Sequence, residues 1–103
     1  MKNTDTRIVY KYYLEPGGAT IIKGWFTKFL KVDKQEDNIV IWMENSLTRP
    51  DGTNRKECEK FEITLYAIGT GWTYPSDLTY IDTVQMDDGL VWHVFCEKEE
   101  NET

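Results

Sequence analysis

Thr79-Tyr80-Ile81-Asp82-Thr83-Val84-Gln85-Met86, then Asp87-Asp88-Gly89, then Leu90-Val91-Trp92-His93-Val94-Phe95-Cys96 decides the reading of this chain. Two alternating runs of strand-forming residues face each other across a short polar reversal that ends in glycine, which supplies the positive φ a tight hairpin turn needs. The last third is therefore expected to be one antiparallel hairpin. Its register stays open at this level: a two-residue turn sets Val84 opposite His93, a three-residue turn sets it opposite Trp92, and the choice decides which side chains share a face.

Working outward, similar patterns recur. Arg7 to Leu14 alternates Ile8, Tyr10 and Tyr12 against Val9, Lys11 and Tyr13, and Pro16-Gly17-Gly18 ends it. A short apolar stretch, Ala19 to Ile22, leads through Gly24 into a strand from Trp25 to Asp33. Its alternation groups Phe26, Leu30 and Val32 against Trp25, Thr27, Phe29 and Lys31. Lys34 to Asn38 reads as a polar turn into Ile39 to Glu44, a second hairpin. Asn45 to Lys60 reads as a long exposed loop in which Arg49-Pro50-Asp51-Gly52 fits a type I turn. Phe61 to Ile68 is the next strand and stops at Gly69-Thr70-Gly71; Trp72 to Leu78 then crosses to the final hairpin. No stretch carries a sustained helical period. About six strands in mostly antiparallel order imply a mainly β protein, a small antiparallel sandwich or partly closed barrel, because one sheet alone would leave its apolar face wet.

With 103 residues there is room for a single domain spanning 1–103. The ends, 1–5 and 98–103, are expected to fray. Two cysteines, Cys58 and Cys96, show neither a disulfide framework nor metal-ligand spacing, which points to reduced thiols in a cytosol. No apolar run approaches the roughly 18 residues of a membrane span.

The net charge of −6 is unevenly spread: eleven of the twelve Lys and Arg lie in residues 1–60, whereas residues 61–103 hold Lys98 against nine acids. Such an acidic half repels polyanions and disfavours duplex nucleic acid as a partner. Lys23, Lys28, Lys31 and Lys34 recur along one segment and are expected to protect an edge or solvated strand from aggregation.

Candidate sites are few. His93 is the only histidine, and with Asp82 or Thr83 as a cross-strand neighbour it reads first as a structural side chain. Ser46, Ser76 and Cys58 have no base near them in sequence. Asp87 and Asp88 beside Asp82 are explained by turn chemistry, since a hard cation wants six or more oxygens. Gly69-Thr70-Gly71 could let backbone amides approach a phosphate, yet it lacks the Lys-Ser/Thr continuation of a phosphate-binding loop, so a tight strand exit is the first expectation. Trp72 and Tyr74 could stack a base or plug the end of the fold, the plug being favoured.

Ile8-Val9-Tyr10-Lys11-Tyr12, Ile68-Gly69-Thr70-Gly71, Tyr80-Ile81-Asp82-Thr83-Val84-Gln85 and Leu90-Val91-Trp92-His93-Val94-Phe95 together resemble a family of small uncharacterised proteins encoded by bacteriophages and prophages. The resemblance runs in order along nearly the whole chain; it departs at Asp82, where the family pattern tends to have Gly, and in Asn45 to Lys60, which is longer than usual. It implies a phage origin and a compact β fold, and carries over no mechanism.

The expected function is accordingly that of a non-enzymatic phage accessory protein in the host cytoplasm during infection, without metal or cofactor, acting by binding in counter-defence. An acidic surface would block a basic surface on a host defence protein or nucleic-acid-binding complex, with Asp87, Asp88, Glu97, Glu99 and Glu100 supplying charge and Trp72 and Tyr74 as apolar anchors. One alternative is an oligomeric sponge for a nucleotide immune signal, using Gly69, Thr70, Gly71, Lys28 and Lys31. Another is a virion or assembly component. Exposed edges and aromatic strands also make a homodimer or higher homo-oligomer an expectation.

Overall fold

A computed structural model describes residues 5–97. Seven strands occur among them: β1 (Arg7–Leu14), β2 (Ala19–Gly24), β3 (Phe26–Gln35), β4 (Asn38–Ser46), β5 (Phe61–Gly69), β6 (Leu78–Gln85) and β7 (Val91–Glu97). A single 3-10 turn, Glu57–Glu59, precedes β5. The strands form two antiparallel sheets, one of order β1-β4-β3 and one of order β2-β5-β7-β6. The fold is the expected small sandwich, not closed into a barrel.

Parity along each strand builds the core. Ile39, Ile41 and Met43 of β4 meet Leu65 and Ala67 of β5 and Val94 and Cys96 of β7, with Leu14, Ile22, Val32, Val84 and Met86 closing the cluster. Burial of this many aliphatic side chains at roughly 1.5–3 kcal/mol each is what offsets the chain entropy lost on folding. Val40 is equally inaccessible but lies on the outer side of its sheet, between Tyr13 and Asp33, while Lys11 reaches across β4 to donate to Gln35 at 2.7 Å.

The final hairpin takes the three-residue turn. Val84 pairs with Trp92, Met86 N donates to Leu90 O at 2.8 Å, and Gly89 sits at φ 91°. Val84, Trp92, Val94 and Cys96 thus face the core, and Thr83, His93 and Phe95 face out. The first hairpin is tighter than its polar segment suggests: Gln35 pairs with Asn38, leaving Glu36 and Asp37 to reverse the chain with Glu36 at φ 60°.

Three sequence expectations need correction. Ala19 to Ile22 is part of a full strand rather than a lead-in, which raises the count from about six. Bulges in β3, between Phe26 and Lys28 and between Phe29 and Lys31, break the simple alternation. Phe26, Phe29 and Val32 consequently face the core, and Leu30 is left 43% exposed. Asn45 and Ser46, placed in the loop by their polarity, complete β4. Asn45 is buried because its Oδ1 accepts from Trp25 N at 2.8 Å, pinning the point where the chain leaves β2 for β3. The adjoining Gly24 lies so close to that oxygen and to the Phe26 ring that a Cβ would collide with both. Asp5, the one residue of the expected tails that is described, forms an ion pair of 2.6 Å with Arg7. The rest of the expected tails lies outside the described residues.

The turn read at Arg49 to Gly52 is present, with Gly52 N donating to Arg49 O at 2.8 Å. No disulfide joins Cys58, which is exposed, to Cys96, which is buried. Among the described residues no helix is long and apolar enough to cross a membrane.

Candidate functional site

Because β7 pairs antiparallel with both β5 and β6, those two strands run parallel, and the connection from Gly69, opposite Trp92, to Leu78, opposite Glu97, must travel along the length of β7. Its two aromatics go to opposite sides. Trp72 turns inward between the sheets: its indole meets Trp92 edge-on, with ring centroids 5.5 Å apart, and lies against Gly17 and Gly69. A Cβ on Gly69 would come within 2.8 Å of that indole. Gly71, at φ 89°, turns the chain, and Trp72 N donates to Gly69 O at 3.1 Å. The glycines of Gly69-Thr70-Gly71 therefore serve a strand exit and the seat of a plug, although Trp72 remains 51% exposed.

Tyr74 turns outward and covers Phe95, ring centroids 4.4 Å apart, while Tyr80 meets the same ring at 5.6 Å. Beside them a cavity of about 290 Å³ opens on the outer face of the four-stranded sheet, lined by Ile68, Thr70, Tyr74, Tyr80, His93 and Phe95 together with Gly69, Gly71 and Trp72. Its volume is at the small end of small-molecule sites.

His93 stands in its floor between two hydroxyls. Thr70 Oγ1 is 2.8 Å from Nε2 and Thr83 Oγ1 is 3.0 Å from Nδ1, and Tyr80 OH lies 2.6 Å from Thr83 Oγ1. A neutral imidazole offers one donor and one acceptor, so one threonine accepts from the ring and the other donates to it. The ring is held in place by both bonds. Three segments quoted for the sequence resemblance, around Gly69-Thr70-Gly71, Thr83 and His93, thus converge on one imidazole.

Beyond Tyr74 the same face opens into a groove bordered by Glu62, Thr64, Tyr66, Asp77 and Glu97. Tyr66 OH donates to Glu97 Oε2 at 3.1 Å; desolvation first, and the neighbouring carboxylate second, push its phenol above the ordinary tyrosine range. Lys23 is the one cation on this face among the described residues, and it stands 3.5 Å from Glu62. The other sheet's outer face is opposite in character, carrying Arg7, Lys11, Lys28 and Lys31 with Asp33 and Glu44. The division of charge along the chain becomes a division between the two faces of the sandwich.

The structure sets Thr70, Tyr74 and Glu97 along the outer face of the four-stranded sheet, with Gly69, Gly71 and the inward-turned Trp72 at the Trp92 end of β7 and Glu97 at its other end. It does not bring Lys28 and Lys31 there: both lie on the three-stranded sheet, Lys31 at 3.3 Å from Asp33. Asp87 pairs with Lys34 across the sandwich at 2.9 Å, which raises the lysine's pKa. Asp88 Oδ1 accepts from Leu90 N at 2.9 Å within the turn. Both aspartates are thus engaged in the hairpin end. Glu99 and Glu100 lie outside the described residues. Sequence reading missed Tyr80, Phe95, Tyr66, Glu62 and Asp77; the parity of β5 and β7 is the signal that would have found Glu62, Tyr66 and Phe95, whereas a bulge between Tyr80 and Asp82 hides Tyr80. Among the described residues no cluster of three or more His, Cys, Asp or Glu is placed to hold a metal ion.

Over residues 5–103 the chain matches a family described as a domain of unknown function (DUF7352), and it belongs to that family. No curated protein and no solved structure matches it.

Proposed function

We propose that this member of the DUF7352 family acts by binding, and that the outer face of its four-stranded sheet receives a positively charged surface on another protein. The observation that carries this reading is the pairing of an aromatic shelf, Tyr66, Tyr74, Tyr80 and Phe95, with the acids Glu62, Asp77 and Glu97 along one groove. The two sets of residues have separate tasks. Exposed ion pairs contribute about 0–1 kcal/mol each, so the acids mainly speed encounter and reject anionic partners. Aromatic anchors that become fully desolvated carry about 2 kcal/mol or more, so Tyr74 and Tyr80 supply the holding energy. In the setting the sequence resemblance suggests, the partner is a host defence protein or nucleic-acid-binding complex blocked during phage infection.

Capture from lysate of phage-infected host cells tests this. The wild-type chain should retain a basic protein that elutes as salt rises, and Tyr74→Ala or the pair Asp77→Asn with Glu97→Gln should lose it. Recovery of nothing above background, or equal recovery by the variants, counts against the proposal.

One observation favours a second reading, the sponge for a nucleotide signal: the cavity offers Thr70 and His93 beside stacking rings. A phosphate there would meet no cation from Lys28 or Lys31, which stand on the opposite face of the sandwich, and would lie next to carboxylates. A rise in melting temperature with linear or cyclic nucleotides would select this reading by mass action.

A further inference from the structure

Each sheet has two edges, and the four differ in how they are protected. β3 carries two bulges and β6 one, and these two strands pack against each other to close one flank of the sandwich. Bulged, mutually covered edges do not template another strand. β2 is six residues long and ends at Gly24. β1 is different. Its eight residues run beside β4 in unbroken register, and among the described residues only β4 hydrogen-bonds to its backbone.

The side chains of β1 are as open as its backbone. Val9 is 52% exposed and Tyr13 54%. Tyr10 shares the inward face with Tyr12 and Leu14, yet keeps 40% exposure because β1 and β2 scarcely meet along their flank. An unbulged, aromatic edge of this length is what sheet extension requires.

We propose that β1 joins a second copy of the chain, antiparallel about a twofold axis at Tyr10, so that two three-stranded sheets become one continuous sheet of order β3-β4-β1-β1-β4-β3. The register follows from charge and parity. An axis at Lys11 would set two ammonium groups face to face, and an axis at Val9 would set Arg7 against Lys11. An axis at Tyr12 would draw in Pro16, which has no N–H to give. With Tyr10 on the axis, Val9 faces Lys11, Ile8 faces Tyr12 and Arg7 faces Tyr13, every residue meets one from its own face, and no like charges are opposed. The contact leaves the aromatic groove of the four-stranded sheet uncovered, so it stands independently of the proposed function.

Sedimentation or light scattering over a hundredfold concentration series tests the dimer. The mass should rise from 12.1 kDa toward twice that value. Val9→Lys, which opposes Lys11 twice across the axis, should hold the chain monomeric, whereas Val9→Glu should keep the dimer. In a Cys58→Ser background, Tyr10→Cys should form a cross-linked dimer on mild oxidation and Tyr13→Cys should not. A monomer at every concentration together with no Tyr10→Cys cross-link overturns the proposal, as does a dimer indifferent to Val9→Lys. Should Val9→Lys fail to fold, the pair of cysteine variants decides alone.

Discussion

Thr70 and His93 are 23 positions apart in the chain and meet at 2.8 Å, hydroxyl to Nε2. The contact ties the connection between β5 and β6 to β7, and with Thr83 on the other ring nitrogen it fixes the imidazole at both edges. Thr70→Val removes one partner without changing the shape of the side chain. It is expected to cost about 1 kcal/mol, lowering the melting temperature by about 4–8 °C for a domain of this size. The nitrogen-15 shifts of the His93 ring should also move; unchanged shifts would show that the hydroxyl does not hold it.

Gly69 and Trp72 form a pair that a double-mutant cycle can isolate. Gly69→Ala places a methyl against the indole and should destabilise the fold by about 1–3 kcal/mol. In a Trp72→Ala background the three atoms nearest that methyl are gone, so its cost should shrink by at least half. Additive costs in urea unfolding would mean that the glycine is needed for something other than the indole.

Gly24→Ala should be more damaging, because the new methyl meets the buried Asn45 oxygen that pins Trp25 N. Displacing that oxygen also leaves a donor unsatisfied, and the combined cost is expected to exceed about 2 kcal/mol. The denaturation midpoint should fall with little change in slope.

Glu36 holds φ 60° in a reversal of two residues. Asn tolerates this conformation better than Glu, and Glu36→Asn should therefore stabilise the chain by about 0.5–1 kcal/mol. An unchanged or lowered melting temperature would argue that the turn relaxes to another form.

Acid should unfold the protein through a definite set of carboxylates. Hydrogen bonds hold Asp5 (from Arg7), Glu44 (from Thr27 and Arg7) and Glu59 (from Arg49 and the Lys56 amide) below their ordinary ranges. Each group is depressed in the folded state, so its contribution is complete above the ordinary values of 3.8 for Asp and 4.5 for Glu and is lost as pH falls through the lower folded values. Stability measured from pH 7 downward should stay level on this account to about pH 5 and then decline. Asp5→Asn with Glu44→Gln should flatten the decline, and a curve of the same steepness would place the effect elsewhere.

Much of the architecture was legible because period-two alternation survives in β1, β5 and β7. β3 was misread for a physical reason: two inserted residues reset its parity, and hydropathy alone cannot tell a bulge from an exposed Leu30. The plug at Trp72 could be anticipated from a large aromatic between glycines. The cavity around His93 could not, since Thr83 faces His93 only in the three-residue turn register, and Thr70 arrives from a connection whose path depends on β7 lying between β5 and β6. Asp87 reads in the sequence as a turn residue and a source of charge for a partner; its ion pair with Lys34 of the opposite sheet could not be read there, because that contact needs the sandwich to be closed.

The two outer faces, one bearing Arg7, Lys11, Lys28 and Lys31 and the other Glu62, Asp77 and Glu97, give the folded chain an electric dipole moment across its thickness. A molecule polarised in this way experiences a torque as it nears a cationic body and is rotated before any atoms touch. The amino acid order thereby determines which wall arrives first in an encounter.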